Sequence, residues 1–410
     1  MTIVGATAAL LLIAGALSGS PGLVLLGLLS LATTGLSGLW SRHGLDHVRY
    51  ERHLGLDRAV WGDLLELDLA AENAKLLPLA WLDTDDYATD GLVIVERPFV
   101  PSNRPGLGVL GNVWTLASFE RVVRHFHIAA ARRGIYRFET VRLAVADLFG
   151  RGVASVEQRQ PATLIVRPRS VPVQSTGGHL VPLGSRRARQ GLLEDPALFA
   201  GIRPFQPGDP RRRIHQRASA RLGRPVSKRF EPSIARHVLV ALDVQTHPGP
   251  HWLLAYDDEL VESLVMAAAS LVRRLLADGA ACGLAANGWT YSLARTGFVA
   301  PRTGGDQLTR IADLLGRLSS TASVPFMRLL AGLPSRLPSG CLVVTLSSRD
   351  PATFAPAVRR LRSSGFEVRH VALGPDGPAW VTRARRLGID ATLGRLEPDW
   401  RTSDALTLAG

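Results

Sequence analysis

The sequence predicts a multidomain protein that begins with a transmembrane helical hairpin, continues with a β-sandwich, and ends in an α/β domain with a mostly parallel sheet. Three observations predict this order. Residues 2–40 carry no charged side chain, residues 41–175 contain short stretches of alternating apolar and polar side chains, and in residues 236–400 apolar strands alternate with amphipathic segments. These are the patterns of membrane spans, of antiparallel sandwiches, and of parallel sheets covered by helices. Residues 176–235 are predicted to be a linker and an arginine-rich loop.

The N-terminal segment, residues 1–40, divides at a turn-forming cluster into one apolar run of residues 3–17 and another of residues 23–40. The second run is long enough to cross a hydrocarbon core of ~30 Å at about 1.5 Å per residue, and the first crosses only with little tilt or in a thinned bilayer. A cleaved signal peptide would begin with positive charge, which residues 1–4 lack. A buried soluble hairpin is the other alternative, but helices that are apolar all round and rich in Gly, Ala and Leu are typical of lipid. We therefore predict two transmembrane spans.

Positive charges follow the second run closely, at Arg42, Arg49 and Arg52, whereas the turn between the runs is uncharged. Positive flanks stay on the cytoplasmic side, and two spans return the chain to the side on which it started. We therefore predict a protein of the cell membrane, in contact with membrane lipid, whose soluble domains are cytoplasmic.

Composition limits the classes of partner. The chain has 410 residues and a net charge of +13, which arginine supplies almost alone because Lys75 and Lys228 are the only lysines. Such a balance favours an anionic partner, which is lipid head groups, nucleic acid or an acidic protein. The two cysteines, Cys282 and Cys341, each begin an apolar stretch typical of a buried strand. We predict two buried, reduced thiols, not a disulfide framework of the kind that small secreted domains use.

Short alternating stretches predict the strands of the sandwich. In residues 64–69 three leucines alternate with polar positions, and similar stretches lie at residues 91–95, 113–116 and 163–166, separated by Gly, Pro, Asn and Asp.

Longer apolar strands and amphipathic helices predict the α/β domain. The first strand spans residues 237–243, and a long helix spans residues 257–278, with Asp257 and Asp258 at its start and Gly279 after its end. The other expected strands are residues 282–286, 341–347 and 367–373. The other expected helices are residues 307–318, 325–333 and 354–363.

Residues 201–231 contain a motif, preceded by an R-G-x-Y segment at residues 133–136 and a D-x-F-G segment at residues 147–150. It resembles the R-x-Y-x-P-G-D, R-x-I-x-W-x-x-S-A-R and final F-E elements of the domain of unknown function 58 family. Here Phe205 stands where tyrosine is common, His215 where aspartate is frequent, and Gln216 where tryptophan is usual. The residues singled out, structural or partner-binding, are Arg203, Phe205, Pro207, Gly208, Asp209, Arg213, Ile214, Arg217, Ser219, Ala220, Arg221, Phe230 and Glu231.

This motif is strongly basic. Residues 203–229 hold nine Lys or Arg residues against one acid, Asp209, and Pro204, Pro207 and Pro210 prevent a continuous helix. We predict an ordered loop that packs between the neighbouring domains as a clasp, with Asp209 paired to an arginine. Two roles stay open: a structural clasp alone, or a clasp that also binds an acidic partner.

The resemblance implies a von Willebrand factor type A-like fold for residues 236–400. That fold can hold a divalent metal ion at a D-x-S-x-S loop after its first strand. Here the loop is Asp243-Val244-Gln245-Thr246-His247, which lacks both serines, and the later acid is absent at Ser347-Ser348. Asp243 and Thr303 remain weak candidates as metal ligands. We predict no functional metal site and no cofactor, with Asp243 capping the end of its strand or the following loop.

Family members resemble partners of MoxR-type AAA+ ATPases. The resemblance therefore implies a non-catalytic, membrane-anchored scaffold or adaptor in protein assembly or maturation. Catalytic motifs such as G-x-x-x-x-G-K-[ST], G-x-S-x-G and H-E-x-x-H are absent from the sequence, so we predict no enzyme. The alternatives are a basic protein that binds a membrane surface or nucleic acid, and a metal-dependent adhesion-type module. Nucleic acid is not expected, because the basic stretch does not alternate with aromatic residues and anionic lipid can neutralise its charge.

Overall fold

The computed structural model describes residues 3–146, 154–176, 199–206, 214–230, 237–253, 256–290 and 296–409. The chain divides into two compact units, Met1–Arg169 with Leu315–Arg317, and Ser170–Leu314 with Leu318–Gly410. The multidomain organisation, the apolar N-terminal helices and the mixture of helices and sheets are as the sequence predicts.

Two apolar helices open the first unit, α1 (Ile3–Ser18) and α2 (Pro21–His43). Within α2, Pro21–Trp40 is long and apolar enough to cross a membrane, and little of it is buried in the protein. The helices approach each other closely at Gly27, because a Cβ atom there would lie 2.6 Å from Cγ of Leu12. Small residues at such contacts are typical of helices that pack within lipid.

Two β-sheets follow. The four-stranded sheet has the order β1-β3-β8-β5, and the six-stranded sheet has the order β2-β10-β9-β4-β7-β6, with every pair antiparallel except β2 and β10. The strands are β1 (Val48–Leu54), β2 (Arg58–Val60), β3 (Leu64–Asn73), β4 (Leu79–Thr89), β5 (Val93–Ile94), β6 (Val100–Pro101), β7 (Leu107–Leu116), β8 (Arg121–Ala129), β9 (Gly134–Ala146) and β10 (Ala154–Arg167). Three of the four predicted stretches lie within strands, and residues 91–95 overlap a strand only at Val93–Ile94.

One hydrophobic core lies between these sheets. Leu65, Leu67 and Leu69 of β3 point inward, as their alternation predicts, and meet large side chains of the other sheet such as Trp114 and Phe138. The core therefore rests on the period-2 pattern that the sequence shows.

A buried polar cluster corrects the reading of Arg52 as a membrane-flanking charge. Its guanidinium lies inside the sandwich, donates hydrogen bonds to Asp86 Oδ1 and to the carbonyl of Gln160, and covers the ring of Phe138. The hydroxyl of Tyr50 donates to the other oxygen of Asp86 at 2.8 Å. Because Arg52 alternates with outward-facing neighbours on β1, its charge belongs to the core and not to the membrane flank.

The second unit centres on an eight-stranded sheet of order β11-β22-β21-β20-β19-β14-β15-β17. Its central strands are parallel, whereas β17 runs antiparallel to β15 and β22 runs antiparallel to β21, so the sheet is mixed. The strands of this unit, including those outside the eight-stranded sheet, are β11 (Val173–Ser175), β12 (Phe199–Pro204), β13 (Val226–Phe230), β14 (His237–Leu242), β15 (Ala281–Ala286), β16 (Gly288–Thr290), β17 (Gly297–Arg302), β18 (Leu318–Ala322), β19 (Leu342–Ser347), β20 (Glu367–Leu373), β21 (Asp390–Leu396) and β22 (Leu406–Ala409).

Among the described residues of this unit, six α-helices accompany these strands: α3 (Gln216–Leu222), α4 (Asp258–Ala277), α5 (Gly305–Gly316), α6 (Phe326–Ala331), α7 (Ala355–Ser363) and α8 (Gly377–Arg386). The bounds of α4 follow from its capping residues. Asp257 Oδ1 accepts from the N–H of Leu260 at 3.1 Å, and Gly279 adopts a φ of +79° after the last turn. The predicted strands and helices of this domain are all present, and β16, β17, β18, α8, β21 and β22 are additional.

The two cysteines lie in the main sheet region as free, buried thiols. Burial raises the pKa of Cys282 and of Cys341 to about 12, which keeps both sulfurs protonated. Both side chains are therefore buried thiols without a disulfide bond, as the sequence predicts.

Candidate functional site

Three parallel strands end at the same level of the main sheet and bring together three polar residues. Leu242 of β14 pairs with Ala286 of β15 and with Leu346 of β19. Asp243, Asn287 and Ser347 each come directly after one of these paired residues, and all three are completely buried. In open α/β sheets ligands bind at the carboxyl ends of the strands, so this edge is the first place to look for a site.

Asp243 is the centre of the cluster. Its Oδ1 accepts hydrogen bonds from Nδ2 of Asn287 at 2.8 Å and from the N–H of Gln245 at 3.2 Å. Its Oδ2 accepts from the hydroxyl of Ser347 at 2.9 Å. The bond to Gln245 closes the turn after β14, which is the loop-capping role predicted for Asp243.

Arg349 completes the cluster. Its Nε and Nη2 atoms lie 2.9 and 2.8 Å from Asp243 Oδ2, and its own N–H donates to the hydroxyl of Ser347 at 3.1 Å. A carboxylate this deeply buried needs a countercharge, and the guanidinium supplies it. Sequence reasoning missed this residue, although a basic side chain two positions beyond the end of a buried strand is the signal that points to it.

This arrangement leaves little room for a metal ion at Asp243. Both carboxylate oxygens already accept from five donor groups in all, and a cation would have to displace the guanidinium of Arg349. The residues present therefore do not fit a divalent ion. Within the described ranges, no group of three or more His, Cys, Asp or Glu side chains is close enough to hold one.

Thr303, the other weak candidate, lies at the opposite edge of the sheet. Strand β17 is antiparallel to β15, so that Arg302 pairs with Cys282 at the start of β15, whereas Asp243 lies beside its end. At about 3.3 Å per residue, the length of β15 separates Thr303 from Asp243 by roughly 15–20 Å. The two residues therefore cannot share an ion, because the last strand before Thr303 reverses direction.

Large apolar side chains are exposed at the edge that holds Asp243. Trp252, Leu253 and Tyr256 lie in the connection between β14 and α4, and Trp289 lies in β16 directly after β15. Trp252 is 69% exposed and Trp289 is 50% exposed. We name these four residues the aromatic rim. Exposed aromatic groups that cluster on one edge are typical of surfaces that bind other proteins.

Gln245 organises the connection that carries most of the rim. Its side-chain amide donates to the carbonyls of His247 and Gly249 at 3.1 and 2.6 Å, and the N–H of Asp257 donates to the hydroxyl of Thr246 at 2.9 Å. Gln245 takes the place of the first serine in the D-x-S-x-S pattern, and here it holds backbone instead of a metal ion.

The basic motif is not a plain loop. Strands β12 and β13 pair antiparallel, with Arg203 opposite Ser227, and helix α3 lies between them. Residues 216–222 contain neither proline nor glycine, and Gly223 ends the helix with a φ of +64°. The prediction of an ordered loop was wrong for residues 216–222, because the prolines act only on the residues beside them.

Two residues of the motif have a local role: His215, which departs from the family pattern, and Ser219, which matches it. His215 Nδ1 accepts from the N–H of Ala218 at 3.2 Å and so caps α3, as an aspartate would. Ser219 Oγ accepts from the N–H of Val226 at 3.0 Å and ties α3 to β13. The motif therefore builds a small folded element.

The singled-out residues divide by position. Arg217, Ala220 and Arg221 are exposed on α3, and Arg203, Phe205 and Ile214 are half-buried. The side chain of Phe230 is not described. The residues that lie outside the described ranges are those of the D-x-F-G segment at 147–150, Pro207, Gly208, Asp209, Arg213 and Glu231. The predicted pairing of Asp209 with an arginine stays a prediction.

No family model matches the chain. The uncharacterized protein YeaD of Bacillus subtilis (strain 168) is 23% identical over 256 residues, which are 62% of this chain and 59% of YeaD, so the chain matches less than two thirds of that relative.

Solved structures with some likeness include the CARDB domain of the PF1109 protein from Pyrococcus furiosus, at 14% identity over 29% of this chain and 86% of that chain, with a TM-score of 0.20. A cohesin module from a Clostridium perfringens ATCC13124 family 33 glycoside hydrolase is 8% identical over 30% of this chain and 98% of that chain, with a TM-score of 0.22. Scores this low carry no argument about fold or function.

Proposed function

We propose that this chain is a non-catalytic, membrane-anchored adaptor that binds a protein partner through the aromatic rim of its α/β domain. One observation carries the proposal: at the carboxyl edge of the sheet, Asp243 is neutralised by Arg349, while Trp252 and Trp289 stay exposed in the segments that follow β14 and β15. An edge whose buried acid has no free oxygen, but whose aromatic side chains face solvent, suits protein binding better than acid–base or metal chemistry.

The anchor belongs to the same proposal. Helix α2 supplies one span, α1 a second, shorter one, and the exposed Arg42 and Arg49 after α2 favour a cytoplasmic position for both units. The α/β domain is a von Willebrand factor type A-like domain of a domain of unknown function 58 protein. Its order of elements and its loop at Asp243 support that assignment.

The partner that follows from the resemblance is an AAA+ ATPase of the MoxR type, with the adaptor holding the ATPase or its client at the membrane. The test is the affinity of the detergent-solubilised full chain for a purified MoxR-type ATPase encoded beside its gene, measured by biolayer interferometry. Trp252→Ala and Trp289→Ala remove the two most exposed indoles of the rim. A central aromatic residue contributes about 2 kcal/mol or more to a protein interface, which is roughly thirtyfold in affinity.

Trp81→Ala is the matched control, because Trp81 is an exposed tryptophan of the sandwich, far along the chain from the rim. The proposal requires weaker binding in the two rim variants and unchanged binding in the control. No binding by the unsubstituted chain would remove the ATPase as partner, and equal binding by all three variants would remove the rim.

A further inference from the structure

One end of the sandwich carries two exposed apolar loop tips. The connection between β3 and β4 exposes Leu76 at 76%, and the connection between β7 and β8 exposes Phe119 at 69%. We name residues 74–78 and 117–120 the proximal loops. Water-facing side chains of this size, each at the tip of a loop, are not explained by the packing of the sandwich.

The proximal loops are fixed to each other. The N–H of Phe119 donates to the carbonyl of Lys75 at 3.3 Å, and the hydroxyl of Ser118 donates to the carbonyl of Leu76 at 2.5 Å. The buried amide of Asn73 donates to the carbonyls of Leu77 and Ala117 at 2.9 and 2.8 Å, one in each loop. The two apolar tips are therefore presented side by side as one surface.

The proximal loops are also fixed to the end of α2. The indole N–H of Trp40, the last residue of the candidate span, donates to the carbonyl of Pro78 at 3.0 Å, and the ring is buried in the core of the sandwich. Lys75 Nζ donates to the carbonyl of Gly44 at 2.9 Å, directly after α2. Trp40 thus joins the helix to the loops.

The level of the loops follows from helix geometry. Pro21–Trp40 has 20 residues, which matches a hydrocarbon core of ~30 Å, so that Trp40 lies at the membrane–water interface. Side chains of a helix lean toward its N-terminus, so the indole of Trp40 leans toward the membrane, and the carbonyl of Pro78 lies beside that indole. One proximal loop ends at Pro78 and the other is hydrogen-bonded to that loop, so both loops lie at the same depth.

The backbone of Phe119 points to the same role. It adopts a φ of +58°, in the left-handed region that bulky residues rarely occupy. The cost of this conformation is not offset by burial of the ring in the sandwich, because the ring is exposed. Burial of Lys75 lowers the pKa of its ammonium, which sits between the apolar tips and the end of α2. An aromatic ring, a leucine and a lysine whose stem is apolar are the residues that suit the membrane interface.

We propose that the proximal loops insert Leu76 and Phe119 into the lipid bilayer that α2 crosses, at the boundary between head groups and acyl chains. The sandwich then lies directly on the membrane and does not swing on a flexible tether. The inference rests on the proposed membrane anchorage, and the partner is the lipid itself.

The test introduces one exposed cysteine at a time into the full chain. Each variant is labelled with an environment-sensitive fluorophore and reconstituted into phosphatidylcholine–phosphatidylglycerol vesicles. Nitroxide-labelled lipids then quench fluorophores that contact the bilayer. The variants are Leu76→Cys and Phe119→Cys. The matched control is Leu56→Cys, a leucine that is 62% exposed in the loop after β1, at the opposite end of that strand. The unsubstituted chain, whose two cysteines are buried, is the blank for labelling.

A fourth variant, Leu31→Cys, separates this inference from the anchorage, because Leu31 is exposed near the middle of α2. We expect deep quenching at 31, shallow quenching at 76 and 119, and none at 56. Quenching at 31 without quenching at 76 and 119 would overturn the inference and leave the anchor intact. No quenching at 31 would overturn the anchor itself, and quenching at 56 equal to that at 76 would show contact without insertion of the proximal loops.

Discussion

Replacing Arg349 with methionine tests whether the guanidinium holds the α/β domain together. Methionine keeps the apolar stem of the side chain but leaves the carboxylate of Asp243 buried without a countercharge. Removing one partner of a buried pair costs about 3–5 kcal/mol, because the remaining charge stays in a medium of low polarity. For a unit of this size about 1 kcal/mol corresponds to roughly 2–4 °C in Tm, so the transition of this unit should fall by roughly 6–20 °C.

Two companion variants make the measurement specific. Arg383→Met breaks an exposed pair with Asp350 at 2.9 Å, which should cost at most about 1 kcal/mol because solvent screens it. The double variant Asp243→Asn with Arg349→Met removes both charges, and it should recover much of the loss through negative coupling. Differential scanning calorimetry of the full chain in detergent gives all three values. A loss in Arg349→Met no larger than that in Arg383→Met would refute the assigned role of the buried pair.

Further predictions concern acid, thiol and metal chemistry. Burial lowers the pKa of His370 to about 4, so the folded state resists protonation that the unfolded chain accepts below about pH 6.5. Stability should therefore be complete above that pH and fall by about 3 kcal/mol as the pH drops from 6.5 to 4, and urea unfolding of His370→Gln should lack this dependence. Cys282 and Cys341 should stay unreactive toward Ellman's reagent in the folded protein at pH 8 and react in denaturant, whereas fast native labelling would show that they are accessible. Mg²⁺ should leave the Tm of the unsubstituted chain unchanged, since only a ligand of the native state raises it; a rise that Asp243→Ala abolishes would restore the metal site.

The sequence was most informative where a pattern is local. The alternating leucines of β3 and the capping residues of α4 act on their own neighbours, and both elements lie where these patterns predict. Sequence could not show that the last strand before Thr303 reverses direction, because strand pairing joins residues that are distant along the chain. The same limit hid the pair of Asp243 and Arg349, which are separated by 106 positions.

The basic motif shows a different limit. Its prolines suggested irregular backbone throughout, yet a run of seven residues between them was free to form α3. Proline therefore predicts irregular backbone only at its own position and next to it, and a segment between two prolines can still be helical.

The attachment of Trp40 to the sandwich has a mechanical consequence. The buried indole of Trp40 and two neighbouring hydrogen bonds hold the helix and the sandwich at a fixed angle to each other. If α2 crosses a bilayer as proposed and tilts by about 20°, a usual inclination, the attached domain tilts by the same angle. Along β3, whose ten residues extend for about 30 Å, the far tip would sweep sideways by about 10 Å. Bilayer thickness, by setting the tilt of the helix, would thereby set the distance of the far tip of the sandwich from the membrane surface and the direction in which that tip points.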